Sequence, residues 1–106
     1  MLLIRELMFC KPGKVRPLVE KFKAMKTLME KQGMNMRIMT DVSAERYWTV
    51  VAEMEVDSLE RYADVSRQTM AMKEFQEAMQ GYHDLVTGGR REIYQIEGAA
   101  APATAV

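Results

Sequence analysis

Two charged side chains on otherwise apolar strands draw attention first. Arg5 lies in Leu2-Leu-Ile-Arg-Glu-Leu-Met-Phe-Cys10 and Glu53 in Tyr47-Trp-Thr-Val-Val-Ala-Glu-Met-Glu-Val56. Residues two apart on a strand share a face, so Arg5 goes with Leu3, Leu7 and Phe9, and Glu53 with Tyr47, Thr49 and Val51. Charges are seldom buried without a partner, so a strand-end charge or a salt bridge is the plain expectation. The functional alternative is that Arg5 holds an anionic group of a ligand, with Glu53 beside it across the sheet. Tyr47, Tyr94 and Trp48 could be pocket walls, the two phenol hydroxyls orienting a polyphenolic substrate, or all three could simply pack in a core or interface.

The remaining candidates are thinner. His83, the sole histidine, lies near a helix end beside Asp84, where such a residue commonly caps carbonyls or faces water. One histidine makes a poor metal site. Met34, Met36 and Met39 belong to an unusual total of 11 methionines. Pliable packing explains these thioethers, a pocket that adapts to apolar ligands is the functional variant, and Cu(I) would need them to converge from both faces of one strand. Cys10 adjoins Lys11, which could lower its pKa, but it has no visible catalytic partner and reads as structural. No Gly-rich phosphate loop, paired metal-ligand motif or Ser-His-Asp order occurs, so no cofactor is expected.

Elements that could position these residues follow from the hydrophobic spacing. The first apolar run ends at Lys11-Pro12-Gly13-Lys14, a strand followed by a turn. Val15, Leu18, Val19, Phe22, Met25, Leu28 and Met29 then repeat at helical spacing, with a stop at Gly33. Met36–Thr40 reads as a short strand, Asp41 to Arg46 as a polar turn, and Tyr47–Val56 as a strand with Trp48, Val50, Ala52, Met54 and Val56 toward a helix layer. Asp57-Ser-Leu-Glu60 resembles a capping box that opens a second helical region. There Leu59, Tyr62, Ala63 and Ser66 form one stripe and Met72, Phe75, Met79 and Tyr82 another, with a break expected near Thr69. Gly88-Gly89 should end that region, and Arg90 to Glu97 forms a last strand.

The resulting order, strand-helix-strand-strand-helix-strand, predicts an α+β, ferredoxin-like βαββαβ fold: a four-stranded antiparallel sheet with two helices on one face. Residues 1–97 make the domain, and 98–106, rich in alanine, a flexible tail. The first and third strands are expected to be parallel neighbours that bring Arg5 and Glu53 together. Leu3, Leu7, Phe9, Met39, Tyr47 and Val51 fall on the uncovered face, an apolar surface suited to a second copy of the chain.

Composition bounds the function. The chain has 106 residues, one domain's worth, with 48% hydrophobic and 28% charged residues, enough for a packed core. Its 15 basic and 15 acidic residues cancel, so no overall field attracts nucleic acid or an anionic membrane. Charge is unevenly spread: nine Lys or Arg face three acids in residues 1–40, and nine acids face four bases in 41–80. These are solvated faces of separate helices or, alternatively, halves that meet across a dimer. The single cysteine excludes an intrachain disulfide and makes the cytoplasm the default. Arg5 and Glu6 interrupt the first apolar run too early for a signal peptide or a membrane span.

Ile4-Arg5-Glu6 followed by Lys11-Pro12-Gly13-Lys14 resembles the start of NIPSNAP-like proteins. Lys73-Glu-Phe-Gln76 and Leu85-Val-Thr-Gly-Gly89 through Glu92-Ile-Tyr94 are similar to the end of that family and of antibiotic-biosynthesis-monooxygenase-like domains. The resemblance covers residues 2 to 97 and implies the dimeric α+β barrel superfamily. It implies a homodimer whose barrel binds a small apolar or aromatic ligand or serves as an interaction module. A cofactor-independent monooxygenase or isomerase on a small aromatic compound is the enzymatic alternative. Haem-degrading relatives place a ligand histidine where His83 stands, together with an Asn on the first strand that is missing here and a tryptophan near the pocket, to which Trp48 could correspond.

Overall fold

The nearly continuous apolar character of the first nine-residue run suits a central strand, and in the computed structural model, which describes residues 1–98, Leu2–Cys10 forms β1, flanked by strands on both edges. Lys11-Pro-Gly-Lys14 turns the chain into α1, Val15–Glu30. Then come β2 (Met36–Thr40), β3 (Thr49–Val56), α2 (Leu59–Met70), α3 (Lys73–Ala78), a 3-10 turn at Tyr82–Asp84 and β4 (Val86–Gln95). The strands lie in the order β2-β3-β1-β4, and every neighbouring pair is antiparallel.

The first and third strands are therefore antiparallel, not parallel as expected from the sequence. In a split βαβ unit the parallel relation belongs to β1 and β2, and β3 occupies the slot between them. The register sets Arg5 directly opposite Glu53 on β3 and Glu92 on β4.

The core lies on one face. Ile4 of β1, Met36 of β2 and Val50, Ala52, Met54 and Val56 of β3 cluster with Leu18, Val19, Phe22 and Met29 of α1 and Val65 of α2. Ile4, Leu18, Val50 and Ala52 are wholly inaccessible to solvent. At about 1.5 to 3 kcal/mol for each fully buried large aliphatic side chain, this layer supplies the main drive to fold.

Four local expectations need correction. The break expected near Thr69 falls at Ala71 and Met72, but the cap that opens the region is Ser58, not Asp57: its Oγ accepts from Arg61 N at 3.1 Å. The buried stripe of α2 is Val65 and Thr69, whereas Leu59 is exposed. Thr69 can be buried because its hydroxyl accepts from Gln32 Nε2 at 2.6 Å. Gly88 and Gly89 lie within β4. A Cβ on Gly89 would stand 2.7 Å from the Leu7 carbonyl oxygen, so a missing side chain permits strand pairing there.

The fourth concerns Trp48, which was expected on the core face. It precedes β3, has φ of +62°, and is exposed. Left-handed backbone costs an aromatic residue about 1–2 kcal/mol. Local bonds offset this: Trp48 O accepts from Cys10 N at 2.8 Å, Asp41 Oδ1 from Thr49 N at 2.8 Å, and Arg46 O from the Thr49 hydroxyl at 2.9 Å. Of the expected tail, residues 99–106 lie outside the described residues.

Candidate functional site

Side chains alternating away from the core form the second face of the sheet. Register places them in rows: Glu55, Leu3 and Tyr94; then Arg37, Glu53, Arg5 and Glu92; then Met39, Val51, Leu7 and Arg90. The middle row crosses all four strands with alternating sign. Directly opposed cross-strand residues lie close enough for each charge to meet its neighbour.

Glu53 is the deepest member at 7% exposure. Its Oε1 accepts from Arg37 Nε at 2.9 Å and from Arg37 Nη2. Its Oε2 lies 3.2 Å from Arg5 Nε. That separation makes an ion pair, but the N–H is not aligned for a hydrogen bond, so the buried Nε lacks an acceptor. Arg5 Nη1 reaches Glu92 Oε1 at 3.5 Å. Arg90 continues the chain of charges, with Nε 3.0 Å from Glu92 Oε2 and Nη2 3.7 Å from Glu45 Oε2. Burying such charges contributes little net stability, because desolvation offsets much of their attraction.

Apolar residues flank the row. Leu7 and Phe9 are almost covered within the subunit, and the Arg46 guanidinium sits 4.0 Å from the Phe9 ring centroid. At one end a groove of about 390 Å³, open to solvent, is lined by Leu3, Asn35, Arg37, Glu53 and Glu55 among others.

Of the four residues expected to share a pocket, Arg5, Glu53 and Tyr94 lie on this one face. Tyr94 stands opposite Leu3 and is half exposed. Tyr47 does not join them: it is 87% exposed in the loop before β3, because the strand begins only at Thr49. Only Glu53 of the four lines the groove.

Sequence reasoning missed Arg37, Glu92 and Arg90. Each had a signal, since Arg37 is two residues from Met39, and Glu92 and Arg90 are two and four from Tyr94.

A second polar cluster occupies the core side of β1. Glu6 Oε1 accepts from the Tyr62 hydroxyl at 3.1 Å and from Arg91 Nε, and the Arg91 guanidinium lies 5.6 Å from the Tyr62 ring centroid. Burial, followed by the Glu6 charge, raises the Tyr62 pKa above the usual phenol value. Hydrogen bonding to Glu6 raises that of Arg91. Cys10 is buried and unpaired, and desolvation, with Asp41 second, pushes its thiol pKa up, opposite to activation by Lys11. His83 is exposed in the 3-10 turn and stacks on Tyr82 with ring centroids 4.0 Å apart. Among the described residues, no three His, Cys, Asp or Glu side chains are grouped to hold a metal ion, and no helix is long and apolar enough to cross a membrane.

No protein-family model and no curated protein matches the chain. Solved structures do. An uncharacterised NIPSNAP domain protein from Burkholderia xenovorans is 16% identical, with a TM-score of 0.77 over 96% of this chain and 99% of that one. A NIPSNAP family protein from Agrobacterium tumefaciens is 12% identical, with a TM-score of 0.73 over 89% and 90%. A putative antibiotic biosynthesis monooxygenase from Chloroflexus aurantiacus is 14% identical, with a TM-score of 0.70 over 94% and 96%. The chain thus has the ferredoxin-like fold shared by NIPSNAP-domain and antibiotic-biosynthesis-monooxygenase-like proteins.

Proposed function

We propose that residues 1–97 act as a cytoplasmic homodimeric domain in which two copies pack open face to open face, enclosing a barrel that binds a small apolar or aromatic compound without turning it over. The carrying observation is the Arg37–Glu53–Arg5–Glu92 row set among Leu3, Leu7, Val51 and Met39. A two-fold axis presents the same patch to itself, so any unbalanced charge meets its own copy. A row already balanced within each subunit removes that objection, and the half-buried Leu3, Val51 and Met39 beside it supply the gain from burial. The fold shared with the Burkholderia protein supports the reading. A reduced, buried Cys10 suits the cytoplasm.

Sedimentation velocity at micromolar concentration, run from low to high salt, tests the assembly. A dimer that persists unchanged is expected, because its ion pairs lie within subunits and apolar contacts hold the copies together. A stable monomer overturns the proposal. The enzymatic alternative, a cofactor-independent monooxygenase or isomerase, draws support from the fold shared with the Chloroflexus protein. Oxygen uptake or isomerised product with a small aromatic compound would favour it over binding alone.

A further inference from the structure

The charge row also limits what a ligand in the proposed barrel can be, an inference that rests on the reading above. We infer that the open face selects uncharged aromatic compounds bearing a hydrogen-bond acceptor, such as a carbonyl oxygen, and turns away their carboxylate counterparts.

Every positive charge of the row is already matched, and Arg46, which packs over the Phe9 ring, lies two rows away from Arg5. Arg5 lies between Glu53 and Glu92, at 3.2 and 3.5 Å. Arg37 is bound to Glu53, and Arg90 bridges Glu92 and Glu45. Three guanidiniums thus meet three carboxylates, and Glu55 on the same face adds a fourth negative charge beside Leu3. A carboxylate entering beside Arg5 would find no spare cation in the row and would sit among like charges, whose repulsion grows as a closed site excludes water.

It could not readily take the place of Glu53 either. That side chain is 7% exposed, and moving it off its arginines leaves a buried charge unpaired. Arg5 has no charge to spare, but it does have donors. A guanidinium carries five N–H groups, and Arg5 uses one in a hydrogen bond, to Glu92. A neutral oxygen can accept from the others without altering the balance. Leu3, Val51 and Tyr94 of the same face offer surface to the ring. The anion-holding role that residue type alone suggests for Arg5 is thereby replaced by donation to a neutral acceptor.

Naphthyl methyl ketone and naphthoate, with the same ring and different charge, provide the test by isothermal titration of the dimer at neutral pH and low salt. The ketone is expected to bind at least about tenfold more tightly. Glu92→Gln, which frees part of the Arg5 charge, should narrow that ratio to about threefold or less. Glu55→Gln, which removes the negative charge beside Leu3, should narrow it as well. Naphthoate binding as tightly as the ketone overturns the inference while leaving the binding reading intact. Neither compound binding to a confirmed dimer overturns both. A preference unmoved by both Glu92→Gln and Glu55→Gln overturns its electrostatic basis.

Discussion

Adjacent residues of β1 carry opposite charges to opposite faces of the sheet. On the core side Glu6 is met by Arg91 from β4 and by the Tyr62 hydroxyl from α2, so a helix packs against the cluster although Arg91 itself stays exposed. On the other side Arg5 is met by Glu53 and Glu92, both from neighbouring strands, and the row they form has its outward side uncovered within the subunit. The comparison teaches that charge pairing by itself does not mark a finished interior. The layer above the pair decides whether a face is complete or awaits a partner.

The largest effect that tests this contrast comes from trimming one apolar residue on each side. Ile4→Ala removes a wholly buried side chain from the core cluster and should cost about 2–5 kcal/mol in urea unfolding. Leu3→Ala, next to it but on the open face, should cost about 1 kcal/mol of subunit stability, with any further loss seen as weaker association of the proposed dimer at low protein concentration. An equal loss from both variants, independent of concentration, would mean the second face is as closed as the first.

Neighbouring glycines of β4 sharpen the same comparison at smaller scale. Gly89 lies opposite Met8, and a Cβ there would meet the Leu7 carbonyl oxygen and the Met8 sulfur, both at 2.7 Å. Gly88 lies opposite Phe9, and a Cβ there would meet nothing within 4 Å. Gly89→Ala should therefore cost about 1–3 kcal/mol and Gly88→Ala within about 0.5 kcal/mol. Matching melting temperatures for the two variants would refute the close approach of β4 to β1.

These glycines also show where the sequence misleads. Gly88-Gly89 reads as a helix stop because glycine punctuates elements, yet here one of the pair is needed inside a strand for steric reasons that appear only once β1 lies alongside. The same limit applies to the charge row. Strand alternation suffices to put Arg5, Glu53 and Tyr94 on one face, but Arg37 and Glu92 become their neighbours through register, which no single strand encodes. β2 was legible to the residue, Met36–Thr40, because turn residues bracket a short apolar run. The stripe of α2 was not. Its buried Thr69 depends on Gln32, 37 positions earlier, and a polar residue satisfied at that distance looks solvent-facing in the local pattern. Tyr47 and Trp48 have strong strand propensity, and the left-handed turn at Trp48 overrides it.

The smallest expected effect concerns the helix that packs against the core-side cluster. Tyr62→Phe removes one hydrogen bond to Glu6 but leaves Arg91 in place, so at neutral pH it should cost about 0.5–1.5 kcal/mol. Its sharper signature is in alkali. Burial and the Glu6 charge raise the folded-state pKa of Tyr62 above the unfolded value of about 10. The stabilisation linked to the neutral phenol is then fully present below about pH 10 and is lost as the pH rises through the folded-state value, because the unfolded chain releases the proton first. Wild-type stability should fall more steeply than that of Tyr62→Phe above pH 10, and the two curves should converge. Parallel curves across that range would show that the Tyr62 hydroxyl is free to ionise, and that its place between α2 and Glu6 does not shield it from water.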